Sequence, residues 1–305
     1  MATPPARRRP SPPIKWHGGK HYLAPRIIAL FPPHRHYVEP FFGGGAVLFR
    51  KPPALVDQHS EVINDLDGEL TNFWRALQSD ETFEAFRRRV ETIPFSSVEW
   101  DAAAACESDD PLERAVAFFV RYRQSRQGLG TCFATMSRSR TRRGMNEQAA
   151  SWWSAVEGLD EAHHRLRRVV IMNLPAATLI RREDSPDSFF YCDPPYVADT
   201  RVATKSYRFE MNADQHGELL ETLAGLTGKF ILSGYRHPLY DDIARRMDWH
   251  RIDIAIDNKA SSGKTKPIQI ESLWMNFRPE PDRPAEPSDD QQRPTATRVE
   301  TRLFD

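Results

Sequence analysis

The sequence is poor in cysteine, in net charge and in long apolar runs. Its 305 residues include only Cys106, Cys132 and Cys192, and no two of them form a CxxC pair. This usage argues against a zinc site and a disulfide framework, and it predicts a reduced, cytoplasmic protein without a bound metal. No apolar run approaches the length of a membrane span. The basic residues 7–9 lead into prolines, which argues against a secretion signal.

The charges balance overall but are unevenly distributed. Lysine plus arginine number 42, as do aspartate plus glutamate, so the net charge is zero. A uniformly basic surface is excluded, whereas one basic face stays compatible with a nucleic-acid partner. Residues 121–143 contain no acid and seven arginines: Arg121, Arg123, Arg126, Arg138, Arg140, Arg142 and Arg143. Arginine suits phosphate contact and the reading of guanine, so this stretch favours DNA contact over a merely solvated charged loop.

The pattern of strands and helices predicts an α/β domain interrupted by an insertion. Residues 1–13 and 279–305 are rich in proline and polar side chains and predict disordered tails. Residues 14–72 and 181–278 mix short strands with helices and predict one open sheet. Residues 73–180 between them predict a mostly helical insertion.

Within these segments some elements stand out. The insertion predicts helices over residues 112–123 and 147–166, with a loop or hairpin over 127–144. Near the end of the chain, residues 250–257 and 268–277 alternate apolar and polar side chains. These two runs predict an antiparallel hairpin at the edge of the sheet.

The first candidate site is a glycine-rich turn after a short strand. The strand ends at Glu39, and residues 39–45 read Glu-Pro-Phe-Phe-Gly-Gly-Gly. Glycines allow a ligand to approach the backbone closely, although a plain tight turn would look the same. The next strand ends at Asp65, whose carboxylate could accept hydrogen bonds from ribose hydroxyls. Alternatively, Asp65 or Asp67 caps the helix that follows.

The strongest signal is an apolar strand, residues 189–192, that leads into Asp193-Pro194-Pro195-Tyr196. The two prolines stiffen the turn and remove two backbone donors. A carboxylate and a free carbonyl at one point suit an amino group, which has two hydrogens to donate. Tyr196 adds a flat surface for stacking. The combination favours a site over an ordinary Asp-Pro-Pro turn.

These motifs together resemble the Dam-like family of N6-adenine DNA methyltransferases. Asp-Pro-Pro-Tyr after an apolar strand is similar to that family's catalytic motif, and residues 39–45 resemble its cofactor motif. Residues 15–20, Lys-Trp-His-Gly-Gly-Lys, resemble its N-terminal element, with His17 in place of the usual small residue. The resemblance covers about residues 14–277. It implies a Rossmann-like methyltransferase sheet that carries a helical DNA-recognition insertion.

The resemblance also implies a role for each matching residue. Asp193, Pro194, Pro195 and Tyr196 would be catalytic. S-adenosylmethionine would be bound by Trp16, Lys20, Glu39, Phe41, Gly43, Gly45, Asp65 and Asp193. Double-stranded DNA would contact Lys15 and the seven arginines of residues 121–143.

The implied reaction is methyl transfer to N6 of an adenine that is flipped out of the duplex. Asp193 and the Pro194 carbonyl would orient the amine, and Tyr196 would stack on the base. Cytosine N4 methylation is the runner-up, because its amine chemistry is the same. A non-catalytic DNA-binding module and an RNA or protein target are further alternatives. We expect a monomer. The recognition sequence and a cognate restriction endonuclease stay open.

Overall fold

The computed structural model describes five stretches of the chain: residues 10–53, 59–136, 138–197, 209–257 and 268–279. Most of the two predicted tails lies outside these residues, and so does the turn of the predicted edge hairpin. Within the described stretches, no helix combines the length and the apolar character that crossing a bilayer requires.

Within the described residues, seven strands form one sheet, and two short strands form a separate hairpin. In chain order the strands are β1 (His36–Glu39), β2 (Ser60–Asn64), β3 (Thr141–Arg142), β4 (Met145–Asn146), β5 (Val170–Met172), β6 (Ser188–Cys192), β7 (Lys229–Gly234), β8 (His250–Asp257) and β9 (Ile268–Met275). The large sheet has the order β5-β2-β1-β6-β7-β9-β8. The strands from β5 to β7 run parallel, and β9 is antiparallel to both of its neighbours.

Ten α-helices accompany these strands in the described part of the chain. They are α1 (Ala24–Ala29), α2 (Gly68–Gln78), α3 (Asp80–Glu91), α4 (Ser97–Ala104), α5 (Pro111–Arg123), α6 (Glu147–Val156), α7 (Leu159–Leu166), α8 (Ala176–Arg182), α9 (Ala213–Ala224) and α10 (Pro238–Arg246). The sheet and helices together confirm the predicted Rossmann-like α/β fold. The hairpin of β8 and β9 lies at the sheet edge, as the sequence predicts.

Strand alternation divides the apolar core into two layers. Along β1 and β6, Tyr37 and Phe189 point to one face of the sheet, and Val38 and Phe190 point to the other. The first face is covered by helices of the insertion, since Phe119 on α5 belongs to the same apolar cluster. The insertion therefore shares its core with the sheet. Because successive strand residues face opposite sides, each short strand contributes to both layers.

The structure differs from the predicted segment borders at both ends of the insertion. Helix α2 crosses the border between residues 72 and 73. Strand β5 lies within residues 73–180, yet it pairs with β2 in the main sheet, and helix α8 crosses the border at residue 180. A strand of three residues carries too little periodicity to be detected in sequence. The division into domain and insertion stays a prediction, with the sheet resuming about ten residues before the predicted border.

One helix prediction needs correction, and one helix was missed. The helix predicted over residues 147–166 is two helices, α6 and α7, which are separated at Glu157 and Gly158. Glycine ends the first helix readily because it lowers helix propensity. Helix α10, which begins at Pro238 behind the His237 cap, was not predicted.

A buried ion cluster fixes the insertion to the sheet. Arg165 on α7 donates two hydrogen bonds to Glu61 on β2, at 2.5 and 2.7 Å. Lys51 donates a third to the same carboxylate at 2.9 Å. These cations lower the pKa of Glu61, although burial opposes them by raising it. Paired charges of this kind are costly to break singly, so the cluster holds α7 against β2.

Candidate active site

The eight residues predicted to bind the cofactor meet at the carboxyl ends of β1, β2 and β6, whereas Pro194 and Tyr196 of the predicted catalytic motif do not line this space. A cavity of about 800 Å³ opens there. In open α/β sheets ligands bind at this edge, where the strand order reverses direction. The cavity is lined by these predicted residues: Trp16, Lys20, Glu39, Phe41, Gly43, Gly45, Asp65, Arg121, Asp193 and Pro195.

The glycine-rich turn is shaped to fit against Trp16. Gly43 and Gly45 have positive φ angles, 49° and 71°, which side chains rarely adopt. A Cβ atom on Gly44 would lie 2.5 Å from Cβ of Trp16, and one on Gly43 would lie 2.7 Å from its Nε1. Trp16 in turn stacks on Tyr122 of α5, with ring centroids 5.0 Å apart. The turn, the N-terminal element and the insertion therefore form one wall of the cavity.

Gly44→Ala is expected to weaken binding of S-adenosylmethionine by about tenfold or more, because the new methyl group must displace Trp16. Isothermal titration calorimetry measures the affinity. The matched control is Gly217→Ala in α9, where a Cβ meets no atom within 4 Å. That change should leave the affinity unaltered and stabilise the helix slightly. Equal affinity of Gly44→Ala and Gly217→Ala would contradict the role of the turn.

Asp65 holds the turn, whereas Asp67 caps the next helix. Asp65 accepts hydrogen bonds from the backbone N–H of Gly43 at 2.9 Å and of Asp67 at 3.0 Å. Burial raises the pKa of Asp65 to about 6, although these hydrogen bonds oppose the rise. Asp67 accepts from the first turn of α2, so the helix-capping alternative applies to Asp67. Asp65 does not cap the helix, and it lines the cavity.

Glu39 is a fully buried carboxyl group at the end of β1. Its Oε2 accepts a hydrogen bond from the Tyr37 hydroxyl at 3.0 Å. Burial raises the pKa of Glu39 to about 8, the Tyr37 hydrogen bond lowers it, and the nearby Asp193 charge raises it further. Near pH 7 the group is therefore mostly protonated, and a cation placed beside it would favour its ionised form.

Lys20 contacts the carboxylate of Asp193, the residue that the sequence predicts to be catalytic. Its Nζ donates to both oxygens of Asp193, at 2.7 and 2.9 Å. Burial raises the pKa of Asp193 above the usual range, and Lys20 is the main influence that lowers it. Lys20 therefore favours the ionised form of Asp193, which accepts hydrogen bonds only. The sequence-based interpretation placed Lys20 at the cofactor, and the geometry adds this direct partnership.

Tyr196 is buried behind Asp193 rather than open to the cavity. Its ring lies 4.8 Å from Lys20 Nζ and makes an edge contact with Tyr235, with centroids 4.4 Å apart. Its hydroxyl donates to Oε1 of Glu271 at 2.6 Å, and Ser233 donates to the same oxygen. Stacking of Tyr196 on a target base stays a prediction.

Sequence reasoning missed Glu271, which lies on β9. It is 1% exposed and follows the alternation of Leu273 and Met275, which point into the core. An acid in step with the buried face of a strand is a signal that was available in the sequence. Buried carboxylates need partners, so such a residue marks a polar network.

The predicted DNA-contacting residues fall into two groups. Lys15 and Arg123 make hydrogen bonds within the protein. Lys15 donates to Gln148 at 2.9 Å, and Arg123 donates to the Ser151 carbonyl at 2.9 Å. Burial lowers the pKa of Lys15 to about 8 and that of Arg123 to about 10. Their placement does not favour the predicted DNA contact. Arg121 donates to the Gly130 carbonyl at 2.8 Å and lines the cavity.

Four of the remaining arginines lie in or directly before a short exposed hairpin, and Arg126 lies in an earlier turn of the same stretch. Strands β3 and β4 pair Arg142 with Met145 across a two-residue turn in which both φ angles are positive, 58° and 75°. This is the geometry of a tight hairpin turn, and it confirms the predicted loop or hairpin. An acid from outside the arginine-rich stretch pairs with it: Arg143 donates one hydrogen bond to each carboxylate oxygen of Glu157. The exposed arginines are Arg126, Arg138, Arg140, Arg142 and Arg143.

A Rossmann-like sheet with Asp-Pro-Pro-Tyr beside a glycine-rich turn defines the class of amino-group methyltransferases. Residues 16–254 match the family described as D12 class N6 adenine-specific DNA methyltransferase, and the chain belongs to that family. It is an adenine-specific DNA methyltransferase, and the cytosine alternative is not favoured.

Individual relatives agree with this assignment. A Type II methyltransferase, M1.LlaDCHI from Lactococcus lactis subsp. cremoris, is 25% identical over 279 residues, which cover 86% of this chain and 94% of that protein. A DNA adenine methylase from Vibrio cholerae is 28% identical over 191 residues, covering 60% of this chain and 64% of that protein. A DNA N-6-adenine-methyltransferase of Escherichia phage P1 is 33% identical over 67 residues, covering 22% of this chain and 8% of that protein.

Proposed function

We propose that the chain transfers the methyl group of S-adenosylmethionine to N6 of an adenine flipped out of double-stranded DNA at a specific sequence. The observation that carries this proposal is the shared cavity. Asp193 lines it together with the glycine-rich turn and Asp65. The methyl donor and the adenine that accepts the methyl group can therefore both lie beside the Asp193 carboxylate.

The cavity has the chemistry that S-adenosylmethionine requires. Gly43 and Gly44 line the cavity, and Trp16 packs so closely on them that a side chain at either position would collide with it. Asp65 offers carboxylate oxygens to ribose hydroxyls, and Glu39 offers a carboxyl group to the methionine portion. Phe41 and Trp16 add apolar walls. When bound, the cofactor supplies a methyl group already activated on a sulfonium.

Asp193 and the carbonyl of Pro194 orient the target amine. The nitrogen lone pair of adenine is delocalised into the ring, so the amine attacks well only when its two hydrogens are held. Acceptors at this point also stabilise the positive charge that develops on nitrogen. Positioning of this kind contributes about 7–11 kcal/mol in favourable cases. Lys20 keeps Asp193 ionised and therefore accepting.

DNA is contacted by the exposed arginines around the β3–β4 hairpin. A two-stranded ribbon fits the major groove, where arginine reads guanine and binds phosphates. This surface lies in the insertion that follows the cofactor motif along the chain.

The three cysteines are free thiols, in keeping with the reducing cytoplasm that we propose as the setting.

Binding of S-adenosylmethionine is expected to release a proton from Glu39. The pKa of this carboxyl group is about 8 because of burial, and the cationic ligand favours its ionised form. Affinity should therefore rise with pH from about 6 to 8 and then level off. Calorimetry at pH 7 in buffers of different ionisation enthalpy measures the release. Glu39→Gln should release about 0.5–1 proton fewer, and equal release from both proteins would contradict the assignment.

The proposal is tested by transfer of tritium from labelled S-adenosylmethionine to macromolecular acceptors. Unmethylated genomic DNA should accept label, whereas RNA and protein should not. Transfer to a duplex containing one adenine site should stop when that site already carries N6-methyladenine. Labelled RNA or protein, or cofactor binding without transfer to any DNA, would contradict the proposed function.

A further inference from the structure

We propose that Glu271 is a positioning residue for methyl transfer: its buried carboxylate holds Tyr196 and Lys20, and through them it sets the orientation of Asp193. The inference rests on the proposed role of Asp193. It concerns a residue outside the motifs that identify the site.

Glu271 joins groups from separate parts of the chain. Its Oε1 accepts from the Tyr196 hydroxyl at 2.6 Å and from Ser233 on β7, and it lies 3.6 Å from Lys20 Nζ. These groups come from the catalytic turn, the sheet and the N-terminal element. Because Glu271 is 1% exposed, water cannot replace these partners. The carboxylate therefore holds two hydroxyl donors by hydrogen bonds and attracts the Lys20 ammonium by its charge.

The contacts of Glu271 restrain both ends of the catalytic turn. Asp193 begins the turn, and its two oxygens are held by Lys20. Tyr196 ends the turn, and its hydroxyl is held by Glu271. The prolines between them limit rotation of the backbone. A shift of the Tyr196 ring or of Lys20 Nζ would move the carboxylate that receives the amine, and an error of 1 Å can cost about 100-fold in rate.

Glu271 also acts on Asp193 through charge. Burial raises the pKa of Asp193, the Lys20 cation lowers it, and the Glu271 charge raises it. Removal of the Glu271 charge should therefore lower the pKa of Asp193, so that Asp193 remains ionised at lower pH. The groups that face Asp193 are Lys20, Glu39, Tyr191, Cys192, Tyr196, Tyr240 and Glu271.

The experiment measures single-turnover methylation of unmethylated genomic DNA from pH 5.5 to 8.5. Glu271→Gln should lower the plateau rate by about 10- to 100-fold while the dissociation constant for S-adenosylmethionine stays within about twofold. In the plot of rate against pH, the acid limb of Glu271→Gln should move to lower pH by about one unit. Glu271→Asp keeps the charge but withdraws the carboxylate, so its plateau should fall without movement of the acid limb.

Two further variants separate positioning from general loss of structure. Tyr196→Phe and Glu271→Gln should combine non-additively, because both changes break the same hydrogen bond. Glu61→Gln removes another buried, ion-paired carboxylate outside the cavity lining. It should lower stability, measured by thermal unfolding, but leave the pH profile of the folded enzyme unchanged.

A wild-type rate and pH profile in Glu271→Gln would overturn the inference. So would a plateau loss in Glu271→Gln that follows only the unfolded fraction, as in Glu61→Gln. If Glu271→Gln does not fold, additive effects of Glu271→Asp and Tyr196→Phe on the rate would overturn it. Failure of the proposed function looks different, since the wild-type enzyme itself would then not label DNA.

Discussion

Asp193→Asn is expected to reduce the single-turnover rate of methyl transfer by about 100- to 1000-fold or more. The amide lacks the charge that stabilises the developing positive nitrogen, and its NH₂ group is a donor where the substrate needs an acceptor. Its single oxygen also cannot replace both carboxylate oxygens, to which Lys20 donates in the native enzyme. Rapid-quench measurement with labelled S-adenosylmethionine and saturating DNA gives the rate.

Asp187→Asn is the matched control for this change. Asp187 immediately precedes β6, the strand that delivers Asp193 at its other end, and its side chain is exposed. The control should methylate DNA at the wild-type rate. Thermal unfolding and cofactor affinity should show that Asp193→Asn remains folded and binds S-adenosylmethionine. A native rate in Asp193→Asn would refute its assignment as the amine acceptor.

Replacement of three exposed arginines, Arg126, Arg138 and Arg142, by glutamine is expected to weaken DNA binding by about 100-fold near 0.1 M salt. Each lost phosphate contact should also lower the slope of log affinity against log salt by about 0.9. Fluorescence anisotropy at several salt concentrations measures both quantities. We expect the slope to fall by about two to three units for the triple variant.

Arg245 and Arg246 on α10 supply the control for the arginine series. Both are exposed and lie outside residues 121–143, and they pair with Asp242 and Glu221. Their replacement by glutamine should leave the affinity and the salt slope unchanged. If both variants lose DNA affinity equally, the hairpin surface has no special role and binding is a general effect of charge.

The sequence predicts the cavity well because its walls come from local motifs. A turn with Gly43 and Gly45, an acid such as Asp65 after a strand, and Asp193 before two prolines each have a short-range physical signature. Parallel strands place their carboxyl ends at one sheet edge, so the motifs meet once the sheet is predicted. This explains why residues far apart in the chain could be assigned to one cavity.

The remaining features depend on contacts that no local pattern contains. The arginine-rich stretch has no acid of its own, yet Glu157 reaches Arg143 once α6 follows the hairpin. Lys20 was assigned to the cofactor, and only the fold brings it against Asp193. The position of Glu271 on the buried face of its strand has a signal in the sequence, but its partners Tyr196 and Lys20 come from distant parts of the chain. Such side-chain pairings require the tertiary structure.

The identity of the methylated nucleoside tests the central claim most directly. DNA is incubated with the wild-type protein and labelled S-adenosylmethionine, digested to nucleosides and separated by chromatography with mass detection. The account predicts label in N6-methyldeoxyadenosine, which appears at the same initial rate with wild type and Asp187→Asn and about 100-fold or more slowly with Asp193→Asn. Label in N4-methyldeoxycytidine, or none in DNA from the wild-type reaction, would contradict it.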